Sequence, residues 1–461
     1  MPDTEETAGS NPSDFDLNNS AVAENLANSA GTKSSGTLPL IIAEGIRYNC
    51  QGCGRCCGGW SVGLSEGDFA NVKDTDWGAL HPELSGKELF LDRRKEFQEG
   101  RAEYPYYTAP KPDGTCSFLI NGLCFIHGTL GEDLKPNICK IFPYTFVPTP
   151  TGIYVGALQN SMAAVRNMGN LLSDQKPYLE KMWKVAVKHE SSGRGAQDIT
   201  EVASNVTLED LKKIDYKVSL VKDVPMSWED YLLLEECMLS ILNGNQYSNF
   251  FESLLAISEL LNEAVQIRAS RGDYAKLKQF KPADLQKWKQ EEPTFFEVRV
   301  FNILCYRNFV WPQLRKQYAA LWTEHNKSPF TEKKVISTAV KTTMFGKMEL
   351  AEIGSVDVDK ARKMKTAALQ PEVVDFLKRQ IYVKVFSKSY FGAKLVGLSV
   401  QAGFNNLVGN VLSAVAYAKA HALHRGSNEI LIKDLYEAVF LLDKENVALS
   451  QLPQNRSSFY D

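Results

Sequence analysis

The sequence predicts a mainly α-helical protein that contains a small, irregular α+β domain rich in cysteine. Seven of its nine cysteines fall between residues 50 and 139, among glycine- and proline-rich turns. After about residue 157, apolar residues recur at helical spacing, and no strand–helix alternation indicates a parallel sheet. We therefore expect a metal domain followed by a larger helical region.

Length and composition indicate more than one domain. A chain of 461 residues is too long for one ordinary core. We assign residues 1–38 to a disordered tail because they are small, polar and acidic, with a net charge of −5 that leaves +2 for the rest. We assign 39–165 to the metal domain and 166–461 to the helical region. That region forms either one body or two subdomains, with a break near 275–292 or 350–370.

Charge and hydropathy narrow the classes of partner. No run of about 18 apolar residues occurs, so we expect no membrane segment. A nearly neutral body predicts no nucleic-acid partner, whereas a protein partner remains open. The chain start lacks the basic and apolar regions of a secretory signal. We therefore expect a cytoplasmic protein whose thiols stay reduced rather than forming disulfides.

Three cysteines, hereafter the tripod, repeat a Cys-x-x-Cys spacing: Cys50, Cys53 and Cys56. Tight turns between them direct three sulfurs toward one ion or one iron–sulfur cluster. Gly52 and Gly54 suit such a loop because it needs positive φ values. Adjacent side chains diverge, so Cys57 need not share the ion held by Cys56.

Further ligands are expected from the cysteines that follow: Cys57, Cys116, Cys124 and Cys139. An Asn-Gly turn between two short apolar runs predicts a hairpin that brings Cys116 near Cys124. Seven thiols exceed one four-ligand site, so either a second site exists, with His127 as an optional ligand, or some thiols are redox or supporting groups. The tripod favours an iron–sulfur cluster, 4Fe–4S first, over zinc. Cys237 and Cys305 lie among apolar helical positions and are expected in the core.

Helices are predicted from apolar spacing and capping residues at 231–243, 254–267, 295–311, 332–348, 371–388, 393–424 and 431–444. Residues 216–221 are predicted to be extended, and 81–115 to be a loop because of its prolines and a Pro-Asp-Gly turn.

The cysteine pattern resembles a known family over about residues 45–165. The motifs are Cys50-x2-Cys53-x2-Cys56-Cys57, Cys116-x7-Cys124-x-Ile126-His127 and Lys135-Pro136-x2-Cys139-x2-Phe142-Pro143-Tyr144. They resemble the YkgJ family of cysteine-cluster proteins, a likeness that implies zinc or iron chelation.

A narrower likeness is to the flagellin lysine-N-methylase (FliB) family, in the second cysteine block. This chain has Phe142-Pro143-Tyr144 where that family tends to have Tyr-Pro-Arg or Phe-Pro-Arg. The likeness implies an alternative function, protein-lysine methylation with S-adenosylmethionine. No Rossmann-type glycine loop and no Cys-x3-Cys-x2-Cys motif accompanies it. Whether the chain is an enzyme stays open, and the third alternative is a non-catalytic, zinc-stapled interaction protein.

Overall fold

The computed structural model describes residues 38–58, 61–112, 114–190, 204–244, 246–247, 249–282, 292–317, 332–392 and 397–450. The predicted tail lies outside these residues, apart from residue 38. The chain divides into two compact units after Tyr216. Below, the unit that contains the seven clustered cysteines is called the cysteine unit, and the following unit is called the helical unit.

In the described residues of the cysteine unit, the β structure consists of three small sheets. The first has the order β1-β8-β7, with strands Leu40–Ile42, Gly152–Ala157 and Tyr144–Thr149; β1 runs parallel to β8, and β7 antiparallel. The second has the order β2-β4-β3, all antiparallel, with strands Gly63–Leu64, Tyr106–Thr108 and Phe90–Asp92. The third is the hairpin of β5 (Leu119–Ile120) and β6 (Leu123–Cys124).

Short helices connect these strands. They are α1 Glu66–Ala70, α2 Trp77–Leu80, α3 Arg94–Gln98, α4 Phe125–Leu130, α5 Asn137–Ile141, α6 Met162–Val165, α7 Lys176–Glu190 and α8 Leu208–Leu211. Additional 3-10 turns span Arg55–Cys57, Pro82–Leu84, Glu132–Leu134 and Ser173–Gln175. The region 81–115 is therefore not the loop that the prolines predicted. Its strands β3 and β4 pair with each other, and this pairing outweighs the local turn signals.

The predicted hairpin is confirmed. Leu119 pairs with Cys124 and Ile120 with Leu123. Between them, Asn121 (φ 51°) and Gly122 (φ 76°) both adopt the left-handed conformation that an Asn-Gly hairpin turn requires.

The cysteine unit extends past residue 165, to Tyr216. Helix α7 packs against α5, which carries Cys139. In addition, Arg47, just before the tripod, forms a β-bridge with Leu171. These contacts tie the stretch after residue 165 to the cysteines.

The helical unit consists mainly of long helices. They are α9 Trp228–Asn243, α10 Phe250–Ala269, α11 Phe295–Cys305, α12 Trp311–Gln317, α13 Lys333–Phe345, α14 Val358–Lys363, α15 Pro371–Phe386, α16 Val400–His424 and α17 Ile432–Ser450. A 3-10 helix spans Tyr274–Gln279, and a π-helical turn, Tyr306–Val310, joins α11 to α12. Within the part of this unit that the structure describes, two hairpins interrupt the helices: β9 Val218–Val221 with β10 Val224–Met226, and β11 Lys347–Leu350 with β12 Gly354–Asp357. The mainly helical fold class is confirmed.

Helix boundaries follow the capping residues. The Ser227 side chain accepts from the Asp230 amide at the start of α9, and Gly244 follows its end, as predicted. Helix α13 ends at Phe345, short of the predicted residue 348, because Gly346 takes a left-handed C-cap and the chain enters β11. Helix α16 begins after Ser399, whose side chain caps it. The earlier start predicted at 393 falls on residues 393–396, which are not among those described.

Among the described helices, none combines the length and apolar character needed to span a bilayer.

Candidate metal centre

All seven clustered cysteines face one cavity of about 690 Å³ in the cysteine unit. Its lining includes Cys50, Cys53, Cys56, Cys57, Cys116, Cys124, Cys139 and His127. No disulfide joins any cysteine of the described residues. Nor, within those residues, do three His, Cys, Asp or Glu side chains stand at metal-ligand spacing. The thiols therefore share a cavity without forming a closed ligand set, and holding an ion requires their side chains to turn toward it.

The tripod loop lies directly on the hairpin turn. Gly52 and Gly54 have φ values of 65° and 66°, which L-residues other than glycine adopt only with strain. A Cβ atom added to Gly54 would lie 2.6 Å from the carbonyl oxygen of Gly122. Only a residue without a side chain allows this approach, so these glycines let the first cysteines reach the second cysteine block.

Backbone contacts hold Cys57 beside Cys116. After the close approach at Gly54, a 3-10 turn leads to Cys57, whose amide donates to the Gly54 carbonyl at 3.0 Å. The Cys116 amide in turn donates to the Cys57 carbonyl at 3.4 Å. The Cys116 sulfur lies 3.9 Å from the Oγ1 atom of Thr108, in β4.

The remaining two clustered thiols begin or belong to short helices. Cys124 is the N-cap residue of α4, and Cys139 lies within α5. Cys124 packs, as Cys116 does, against a core of buried residues that includes Trp77 and Phe118. Cys139 packs against another core cluster, which includes Leu64. Cys116, Cys124 and Cys139 are therefore half-buried against apolar side chains, whereas Cys50 and Cys53 are exposed.

Short distances link neighbouring thiols electrostatically. Cys56 interacts with Cys50 and Cys53, and its pKa is lowered chiefly by a hydrogen bond with Cys57, 4.0 Å away between sulfurs. Burial raises the pKa of Cys116, whose thiol neighbours are Cys124 and Cys57.

Burial raises the pKa of the Cys139 thiol well above its ordinary value. It interacts with Cys116, Cys124 and Cys57, while Lys135 acts in the opposite direction. Burial likewise raises the pKa of Cys124, and Lys135 again opposes it. Lys135 therefore offers positive charge to thiolates that burial would otherwise disfavour.

Backbone amides point at two of the sulfurs. The Ile126 and His127 amides act on Cys124, and the Phe118 amide acts on Cys116; each lowers the pKa of the thiol against the larger effect of burial. Amide donors to sulfur stabilise thiolates and are a recurrent feature of metal–cysteine sites. These donors arise because each cysteine enters a tight turn.

Three tyrosines form the wall beside the tripod. The ring of Tyr144 packs edge-on against Tyr48 (5.4 Å between centroids) and Tyr178 (5.9 Å). All three interact with Cys50, and burial raises the pKa of each, which keeps the phenols neutral. The Tyr178 hydroxyl donates to the Oε1 atom of Glu132 at 2.6 Å.

The sequence motifs did not predict these three tyrosines as part of the site. Tyr48 precedes the tripod, and Tyr144 belongs to the last quoted motif, so their positions offered a signal. Tyr178 comes from α7, outside the motifs, and no pattern in the chain marks it.

The two remaining cysteines lie in the helical unit. Cys305 is fully buried in α11, as predicted, and burial raises its pKa to about 12. Cys237, which was also predicted to lie in the core, is instead half-buried on α9.

Comparison with known proteins adds one partial similarity. The chain is 33% identical over 107 residues to an uncharacterised protein of Methanocaldococcus jannaschii. The aligned stretch makes up 23% of this chain and 32% of that protein. The similarity thus spans about a third of the relative's length. No protein-family model matches the chain, and no solved structure matches it.

Proposed function

We propose that this protein binds metal through its clustered cysteines, as an iron–sulfur cluster or as zinc. The observation that carries the proposal is that four thiols of one loop and three from later in the sequence line one cavity. Thiolates are the ligands that both groups prefer. A chain of this length can form a core without a structural metal. The convergence of the thiols therefore favours a metal with a functional role.

The donor set fits such a group. Amides that point at Cys116 and Cys124, together with the charge of Lys135, stabilise the deprotonated sulfurs that a metal requires. When bound, an iron–sulfur cluster would supply one-electron chemistry and zinc a Lewis acid. Either metal group requires a reducing compartment such as the cytoplasm, because oxidised thiols would not bind metal.

Anaerobic purification followed by absorption spectroscopy and elemental analysis tests the proposal. We expect either stoichiometric iron with a broad band near ~400 nm from thiolate-ligated iron, or stoichiometric zinc without colour. Cys53→Ser combined with Cys56→Ser should lower the metal content, because two tripod thiolates are lost. The matched control is Cys237→Ser, which removes a thiol of the helical unit and should change nothing. Full metal content in the double variant would refute the assignment.

A second candidate is an enzyme, and the size of the cavity favours it. The cavity reaches beyond the sulfurs to Tyr48, Tyr178 and Glu132, and about 690 Å³ is enough space for a small ligand. The lining belongs to the cysteine unit. The methylase likeness makes S-adenosylmethionine the ligand to test, by calorimetry on metal-loaded protein. Binding that disappears with Tyr178→Ala would support this candidate, and an absence of heat would reject it.

A further inference from the structure

Helices α11 and α13 of the helical unit expose an unusual amount of apolar surface. Among the described residues thirteen large apolar side chains are exposed, and eight of them belong to these two helices. We call the eight the apolar patch: Phe295, Phe296, Val300, Ile303, Ile336, Val340, Met344 and Phe345. Its three phenylalanines are 65% to 74% exposed. Their rings alone present on the order of 300–500 Å², as much as the largest apolar patch of a typical monomer.

The patch is one continuous face, because its two helices pack against each other. Along α11 from Phe296, and along α13 from Ile336, the exposed apolar residues recur every three or four positions and form a stripe on each helix. Arg299 joins the two stripes. Its guanidinium donates to the Met344 carbonyl at the end of α13 and lies 4.9 Å from the centre of the Phe295 ring on α11.

Both helices also have a buried face. Val298 and Cys305 of α11 and Val335 of α13 are buried within the helical unit. A helix that is apolar on its outer side as well as its inner side is suited to packing on both sides. Two adjacent helices with an exposed apolar face resemble half of a four-helix bundle, which a second pair of helices completes.

The exposed charges beside the patch differ in sign between the two helices. Helix α13 contains no acidic residue, and its exposed lysines are Lys333, Lys334 and Lys341. In α11 the exposed charge is the Glu297 carboxylate, while Arg299 pairs with Asp359 at 3.4 Å. A face with both signs is complementary to a copy of itself turned by a two-fold rotation. An anionic membrane would attract the lysines but repel Glu297.

We propose that the apolar patch is the interface of a homodimer, in which α11 of each copy packs against α13 of the other about a two-fold axis. The patch forms the apolar centre of an interface of standard size, about 800 Å² per copy, and the charged side chains form its rim. This inference concerns the helical unit and does not depend on metal binding.

The mass of the full chain in solution tests the proposal. Size-exclusion chromatography with light scattering is run under reducing, anaerobic conditions, because Cys50 and Cys53 are exposed and disulfide-linked dimers must be avoided. We expect twice the 51.5 kDa of one chain at micromolar concentration. Phe296→Glu places a charge within the patch and should reduce the mass to that of one chain.

Leu423→Glu is the matched control. Leu423 is 41% exposed on α16, outside the patch, so the same kind of substitution should leave the dimer intact. Circular dichroism checks that both variants are folded. Equal masses for the wild type and Phe296→Glu would overturn the proposal, because the interface would then lie elsewhere or be absent.

A charge exchange tests the two-fold arrangement. Lys341→Glu and Glu297→Lys should each raise the dissociation constant of the dimer by about tenfold, because like charges then meet at both symmetry-related contacts. An equimolar mixture of the two variants should recover the wild-type affinity, since opposite charges meet again in the mixed dimer. A mixture as weak as its components would overturn the pairing of α11 with α13.

Other occupants of the patch give different results, and each overturns the homodimer. A monomeric wild type that binds vesicles containing phosphatidylglycerol, with binding lost in Phe296→Glu, assigns the patch to a membrane surface. A monomeric wild type that Phe296→Glu destabilises in urea, while Leu423→Glu does not, shows that the chain itself covers the patch.

Discussion

Gly54 is the position where the tripod loop touches the hairpin, and its substitution by alanine probes that contact. Two costs follow from the structure. The left-handed conformation, φ 66°, penalises any Cβ by about 1–2 kcal/mol. The Cβ would also lie 2.6 Å from a backbone carbonyl oxygen, an overpacking cost of about 1–3 kcal/mol.

Gly122→Ala is the matched control. Gly122 has φ 76°, so alanine meets the same conformational penalty there, but no atom lies within 4 Å of its Cβ position. The two variants should therefore differ by the overpacking cost alone, with Gly54→Ala the less stable by about 1–3 kcal/mol. The loop can reduce this difference by lifting from the hairpin, and metal held by the tripod should then be lost.

Urea denaturation, with the transitions of the two units fitted separately, measures the free energy of unfolding. Zinc analysis of the same samples measures the consequence for the tripod. Equal destabilisation and equal zinc content in Gly54→Ala and Gly122→Ala would show that the loop does not depend on its contact with the hairpin. That result would contradict our account of how the tripod reaches the other cysteines.

Two further predictions concern other parts of the chain. In the helical unit, the fully buried Lys388 ammonium donates to Glu235 at 2.6 Å, so Lys388→Met should lower the free energy of unfolding by about 3–5 kcal/mol. Adding Glu235→Leu should restore part of the lost stability, because it removes the carboxylate that has lost its partner. If stability does not recover, the unpaired buried charge is not the cause of the loss. In the cysteine unit, the hydroxyl of Thr207 lowers the pKa of Asp210 to about 2. Carbon NMR should show a titration midpoint that low, and Thr207→Ala should raise it; an unchanged midpoint would refute this cause. Because the folded pKa is depressed, the contribution of Asp210 to stability is present above its ordinary pKa and is lost as pH falls through about 2.

Short local patterns in the sequence were enough to predict one hairpin, the limits of one helix and the thiols of the cavity. Asn121 and Gly122 encode their hairpin because both adopt positive φ values at little cost, and the Ser227 cap with Gly244 sets the limits of α9. The order of the cysteines likewise identified all the thiols that line the cavity. In each case the information lies in a few consecutive residues.

Tertiary structure decided what depends on residues far apart in the chain. The pairing of β3 with β4 within a proline-rich stretch and the strand β11 after Gly346 follow from neighbours that no short window contains. The same holds for the cavity: Tyr178 reaches it from α7, and Cys57 meets Cys116 through a backbone contact. The spacing of residues in the sequence sets which side chains share a loop. Burial, contacts between separate loops and electrostatic interactions arise only when distant segments of the chain pack together.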